Sequence, residues 1–199
     1  MTKINKIATG LAASLLLVSA AQAQETASSV ATATVQNAFT LDETAAISFG
    51  TVRATADPAG TVQATMIIPA NPTIDPSTPA SGGAAAVMQI LVPGTPGEYA
   101  VSGVAPFTSL TLTVPTTDVN LTGASAPPSA PKLIADTWTG YILTGPNANT
   151  VYAAANLQTD AAGEVTFAVG ATLNTDDTAS TTAYIDAIYS GNYDIVVAY

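Results

Sequence analysis

The chain contains no cysteine and no histidine. Without cysteine there is no disulfide, no thiolate nucleophile and no thiolate-ligated metal. Without histidine there is no imidazole base and no imidazole-bound zinc, copper or haem. Serine–histidine–aspartate and cysteine–histidine catalytic sets therefore cannot be assembled. Strong bases are almost as scarce. Lys3, Lys6, Arg53 and Lys132 stand against fourteen acidic residues, giving a formal net charge of −10. Phosphate backbones are bound by clustered lysine and arginine, so no nucleic-acid partner is expected. Binding to anionic lipid surfaces is disfavoured for the same reason.

Two of the four bases sit at the start of the chain and frame a targeting signal. Lys3 and Lys6 precede an uncharged apolar run from Ile7 to Ala20, followed by Ala21-Gln22-Ala23. A positive head, a short greasy run and a small-x-small ending are what a secretory signal peptide requires. The run is shorter than the roughly 20 residues that cross a bilayer. No cysteine follows it for lipid attachment. The expectation is cleavage after Ala23, leaving one domain over 24–199 with no membrane span. Loss of Lys3 and Lys6 takes the formal charge to −12. The localisation implied is secreted or outer cell surface, reached through the periplasm.

What the chain does have is β-branched residues in alternation, with glycine and proline along its whole length. Residues of this kind fit a pleated, half-buried surface, and scattered glycine and proline punctuate turns. Ser29 to Leu41 alternates an apolar face (Ala31, Ala33, Val35, Phe39, Leu41) with a hydroxyl-rich one. Further strands are predicted over Ala46–Val52, with a bulge at Gly50, and over Thr61–Ile68, Ala86–Val92, Glu98–Val104, Leu110–Val114, Thr137–Leu143, Gly163–Leu173 and Tyr193–Tyr199. Val151–Leu157 and Ala183–Tyr189 read as strand or short helix. Asp57-Pro58-Ala59-Gly60 reads as a turn. Residues 69–83 and 123–131 read as long Pro/Gly/Ser/Thr-rich loops. No fixed-period repeat and no composition shift marks a solenoid or a second domain. Nine or ten short strands between turn signals predict an all-β, immunoglobulin-like or pilin-like β-sandwich.

Several blocks resemble a known family. Ala31-Thr32-Ala33-Thr34-Val35, Ile47-Ser48-Phe49-Gly50-Thr51-Val52, Val169-Gly170-Ala171-Thr172-Leu173 and Ser190-Gly191-Asn192-Tyr193, in that order and placement, resemble the exported bacterial family called domain of unknown function 4402. The resemblance implies a secreted β-sandwich and supplies no catalytic residues. A looser likeness is to pilins of the chaperone–usher type, common pilus class included. Those carry an alternating segment after the signal peptide and close on a strand with Gly-x-Tyr. Ala31–Leu41 and Gly191–Tyr199 stand in those places.

Two functional readings follow. In the first, the chain is a structural subunit of a pilus-like or matrix assembly. Ala31, Ala33, Val35, Phe39 and Leu41 would form an assembly strand filling a sheet edge and groove on a neighbour. This reading predicts self-association into filaments, with a periplasmic chaperone and an outer-membrane usher as possible partners. The competing view of the same segment is a first strand completing its own sandwich. In the second reading, the chain is a carbohydrate-binding or adhesin module, with Trp138 as the ligand aromatic. Against it, an aromatic with one polar atom more often buries its ring in a core. Asp160, Glu164, Asp176 and Asp177 could suit calcium, but match no known loop spacing and read more simply as turn acids. No acidic pair stands out for glycoside hydrolysis. No enzyme activity, metal or other cofactor is expected.

Overall fold

The computed structural model describes residues 28–33, 38–79 and 85–199. Among them there is no helix, and thirteen short strands follow one another. These are β1 (Thr40–Ala45), β2 (Thr51–Thr55), β3 (Thr65–Ile68), β4 (Val87–Val92), β5 (Gly97–Ser102), β6 (Ser109–Thr113) and β7 (Val119–Gly123). They continue with β8 (Leu133–Ile142), β9 (Thr150–Val151), β10 (Leu157–Gln158), β11 (Val165–Asn174), β12 (Tyr189–Ser190) and β13 (Val196–Ala198). The contacts divide the chain after Thr34. Of the first unit, residues 28–33 are exposed and carry no strand.

The main sheet runs β1-β5-β11-β8-β7-β12, with β3 also on β11 and β9 on β8. A three-stranded sheet runs β10-β6-β13, and β2 and β4 form a separate ribbon. Every ladder is antiparallel. The two larger sheets share one core. Tyr99 and Val101 of β5, Ile142 of β8, and Val165, Phe167 and Val169 of β11 face Leu110 and Leu112 of β6, Leu157 of β10 and Val197 of β13. A Cβ placed on Gly140 of β8 would meet Leu112 Cδ2 at 3.0 Å, so the sheets touch there directly. The Leu112 N–H donates to the Tyr152 hydroxyl at 2.9 Å, pinning the second sheet to the loop that follows β9. This is the sandwich-like all-β fold that the alternation predicts.

β11 organises the core. It is almost wholly buried, and its partner changes halfway along one side. Val165–Val169 pair with β5, whereas Ala171–Asn174 pair with β3. Gly170 sits at the changeover, where the chain leaving β3 passes over it. A side-chain carbon there would collide with the backbone of Ile68, Pro69 and Ala70. The pairing continues past the strand end through Thr175, which is fully buried. Its hydroxyl accepts the Ala64 N–H at 2.9 Å, and its own N–H donates to the Ala64 carbonyl at 3.0 Å. Thr159, equally buried, accepts the Thr108 N–H and donates to the Ala105 carbonyl, both at 2.9 Å. A buried hydroxyl is tolerated when it is hydrogen-bonded, and that of Thr159 both accepts and donates.

The expected strands over 86–92, 98–104, 110–114 and 163–173 correspond to β4, β5, β6 and β11 within two or three residues. Elsewhere the structure corrects the expectation. The strand predicted over Ser29–Leu41 is absent at 28–33, and Val35 lies outside the described residues. The first strand is Thr40–Ala45, a sequence with little apolar alternation. It forms because the otherwise bare edge of β5 requires a hydrogen-bonding partner. Val151–Leu157 is neither one strand nor a helix. It is β9, a turn closed by the Asn156 N–H on the Ala153 carbonyl, and β10. Ala183–Tyr189 is irregular until its last residue, and Tyr193–Tyr199 is strand only from Val196. β7 and the first half of β8 flank the expected loop 123–131, in stretches where no strand was predicted. Leu133, Ile134 and Ala135 are all buried, so that stretch shows no two-residue period. The leader and its cleavage after Ala23 lie outside the described residues.

The Asp57 turn is as expected, with the Gly60 N–H on the Asp57 carbonyl at 3.0 Å and Gly60 at φ +64°. The Asp57 carboxylate holds the turn from within. It accepts the N–H groups of Ala59, Thr61 and Val62 and the Thr61 hydroxyl. These bonds, that of the Thr61 N–H foremost, hold its pKa below the ordinary carboxylate range. The ionised form therefore stabilises the fold above the unfolded pKa. That stabilisation is lost as pH falls through the lower folded value. Asp57→Asn should melt below the native protein at neutral pH. The gap in melting temperature should close as pH is lowered from about 4, measured by circular dichroism. Gly170→Ala should lower the denaturant-unfolding free energy by about 3 kcal/mol, because backbone rather than a flexible side chain must move.

Candidate functional site

The predicted assembly residues do not lie together on one strand. Ala31 and Ala33 are exposed and outside any strand. Phe39 and Leu41 belong to the body of the sandwich. Phe39 is half-buried, with its ring edge-on to Tyr199 at 5.3 Å between centroids. Leu41, in β1, lines a cavity. The physical reason is the pairing of β1 with β5, which fixes Leu41 opposite Val101.

That cavity has a volume of about 710 Å³. One wall is main sheet, with residues from β1, β5, β7 and β8. The other is the segment from Tyr189 to Ile195 that leads from β12 into β13. This segment has few backbone ladder bonds and is held instead by tyrosines. The Tyr193 hydroxyl lies 2.8 Å from the Tyr99 hydroxyl, and its ring packs on Trp138 at 4.5 Å. Tyr189 packs over Gly123, where a Cβ would come within 3.0–3.3 Å of the ring. Tyr184 donates to the Lys132 carbonyl at 3.0 Å and accepts the Asp176 N–H at 2.9 Å. Gly191 lies against the Val119 side chain and the Asn120 backbone, an approach that leaves no room for a side chain.

Trp138 lines the cavity and is 9% exposed, so it is part of a wall and not an open platform. A bulge puts it there. Gly170 pairs with Thr139 and Thr172 with Asp136, so Thr137 and Trp138 together stand opposite Ala171 alone. The extra residue shifts the alternation of β8 by one. Ala135 and Trp138, three apart, consequently line the same cavity, and Gly140 and Ile142 continue the buried face. Thr137 carries the distortion at φ +48°, a left-handed conformation that β-branched residues rarely adopt. Its flanks are braced by a polar chain in which Asn174 donates to Asp136 at 2.9 Å and accepts from the Thr65 hydroxyl at 2.8 Å.

The electrostatics of the cavity are one-sided. Glu43 and Asp194 line it and neither Arg53 nor Lys132 does. Burial is the main cause that raises the pKa of Tyr99, with the Tyr193 hydroxyl and the Glu43 carboxylate adding to it. Burial likewise raises Tyr193, assisted by Glu43. Both phenols stay neutral wherever the protein is folded at ordinary pH. One group is unsatisfied. Trp138 Nε1 is the single buried side-chain nitrogen or oxygen without a hydrogen-bond partner among the described residues. Such a donor costs about 1–3 kcal/mol.

Two of the four acids considered for calcium, Asp160 and Asp176, are otherwise engaged. Asp160 accepts the N–H groups of Ala162 and Glu164, closing its own turn. Asp176 accepts the Lys132 N–H and both the N–H and hydroxyl of Thr178. Burial pushes Asp176 up, but these donors outweigh it and hold the carboxyl below its usual range. Among the described residues no three acids gather as a metal site, and no helix is long and apolar enough to cross a membrane.

Sequence reading singled out Trp138 but not Tyr99, Glu43 and Asn192, which line the cavity with it. These three come together only through pairings distant in the chain, and only the alternation of β5 marks Tyr99 as inward-facing. If the strain at Thr137 exists to aim Trp138, removing the Cβ while keeping the bulge should relieve it. Thr137→Gly is expected to raise the unfolding free energy by about 1 kcal/mol, and a fall on denaturant titration would contradict the bulge. No family model, curated protein or solved structure matches this chain, so its likeness to the exported β-sandwich family rests on the four residue blocks alone.

Proposed function

We propose that this chain is a secreted or cell-surface structural subunit, an immunoglobulin-like sandwich that joins copies of itself into a pilus-like or matrix assembly by strand addition. The observation that carries this reading is the unequal size of the two packed sheets. The three-stranded sheet stops at β13, whose outer side has no strand partner among the described residues. Val196 and Tyr199 are 53% and 55% exposed there. An open edge of this kind is a template for another strand. The same chain supplies a sequence suited to it. Ala31-Thr32-Ala33-Thr34-Val35 alternates small apolar residues with threonine, and residues 28–33 are exposed without a strand of their own.

The added strand would come from a second copy, and head-to-tail contacts then propagate as an open filament. Phe39 and Leu41 anchor the donating chain to its own body, which confines the donated part to the residues before them. A periplasmic chaperone covering the β13 edge and an outer-membrane usher releasing it are partners consistent with export. The acidic surface, with a formal charge of −12 after loss of Lys3 and Lys6, keeps free subunits apart until the edge is engaged.

The test is electron microscopy and sedimentation of the protein beginning at Gln24. Fibres or ladders are expected. They should vanish on deletion of Gln24–Val35 and in Val196→Lys, while both variants keep a cooperative melt. A protein that stays monomeric at all concentrations and ionic strengths, or fibres indifferent to both changes, overturns the proposal.

A further inference from the structure

We infer that the cavity between the Tyr189–Ile195 segment and the main sheet is a binding site for a neutral, hydroxyl-rich ligand, a saccharide without carboxylate, sulfate or phosphate. Its volume of about 710 Å³ lies within the range of about 300–1,000 Å³ typical of small-molecule sites. The walls combine aromatic surface from Trp138, Tyr99 and Tyr193 with polar groups from Glu43, Asn192 and Asp194. That pairing of apolar rings with a few converging polar groups is the usual make-up of a ligand pocket.

Charge and hydrogen-bond capacity narrow the chemistry. An anion would face Glu43 and Asp194 with no lysine or arginine in the lining. A wholly apolar ligand would strip water from those carboxylates and from the Tyr99–Tyr193 hydroxyl pair without replacing it. A simple ammonium would suit the carboxylates but has only donors. It would offer no acceptor to the Asn192 amide or the Tyr193 hydroxyl that line the cavity. A sugar hydroxyl both donates and accepts. It can serve carboxylate, amide and phenol alike, and its C–H groups can lie against the half-buried Tyr193 ring. The bulge that positions Trp138 at the expense of a left-handed threonine fits a side chain whose placement matters for more than packing, since retained strain gathers at functional sites.

Trp138 is the only tryptophan in the chain, so its emission reports on the cavity directly. Titrating the purified protein with neutral mono- and oligosaccharides of hexose, pentose and N-acetylhexosamine type should give a saturable shift in that emission. Sialylated or sulfated counterparts should bind at least tenfold more weakly. Glu43→Gln and Asn192→Ala, both at exposed positions, should weaken binding at least tenfold with the melting temperature unchanged. Trp138→Phe, followed by calorimetry, should lose binding while remaining folded. No emission change with any neutral sugar, equal binding of anionic sugars, or affinity untouched in all three variants overturns the inference. It stands apart from strand addition: fibres without sugar binding would remove only this site, and sugar-binding monomers would remove only the assembly.

Discussion

The whole sandwich depends on satisfying both sides of β11 at once. A strand buried on both faces has no water to fall back on, so each backbone N–H and C=O must find a partner strand. β8 serves one side. The other is divided between β5 and β3, and the division is possible only because residue 170 has no side chain. Once β11 is enclosed, β5 needs an outer partner and recruits β1. β8 in turn is flanked by β7 and β9. With no disulfide to restrict the unfolded chain, this nested pairing and the apolar packing around Phe167, Val165 and Val169 carry the stability.

How much of this was readable depends on whether a residue's environment is written in its neighbours. Strands with one wet face announce themselves by alternation, as β5 does with Gly97, Tyr99 and Val101 in and Glu98, Ala100 and Ser102 partly out. So does β6, whereas β11, buried on both faces, shows itself as a long apolar run. The segment Leu133–Ala135 is buried on both faces and carries no period. β1 is mostly exposed and is a strand by virtue of its partner alone. Ser29–Val35 shows the reverse case. It has the pattern of a strand but no strand in residues 28–33. Alternation states that a segment can pair, and the supply of edges decides whether it does.

The candidate site was less legible, because it is made by register. Sequence alone marks Trp138 as conspicuous but gives no sign of the bulge that shifts the alternation of β8 just before it. The bulge rests on Thr137, whose identity gives no warning. A β-branched residue is the poorest choice for positive φ, so the usual signal of glycine or asparagine is missing. The neighbours Glu43, Tyr99 and Asn192 come from three separate strands and loops. Nothing local ties them together before the sheet is assembled.

The missing cysteine and histidine acquire a positive meaning once the anchors are known. Junctions that a disulfide could fasten are fastened here by polar side chains: Asp57 in its turn, Asp176 with Tyr184 beside Lys132, and Tyr99 with Tyr193 across the cavity. The carboxylates among them are held below the ordinary acidic range and the phenols above the ordinary basic one, with Tyr184 pushed up to about 12. Their stabilising forms are therefore the ones present across the whole neutral interval. Histidine, the side chain whose ordinary pKa falls within that interval, is absent altogether. A sandwich fastened in this way is insensitive to reducing agents and to modest acid or alkali.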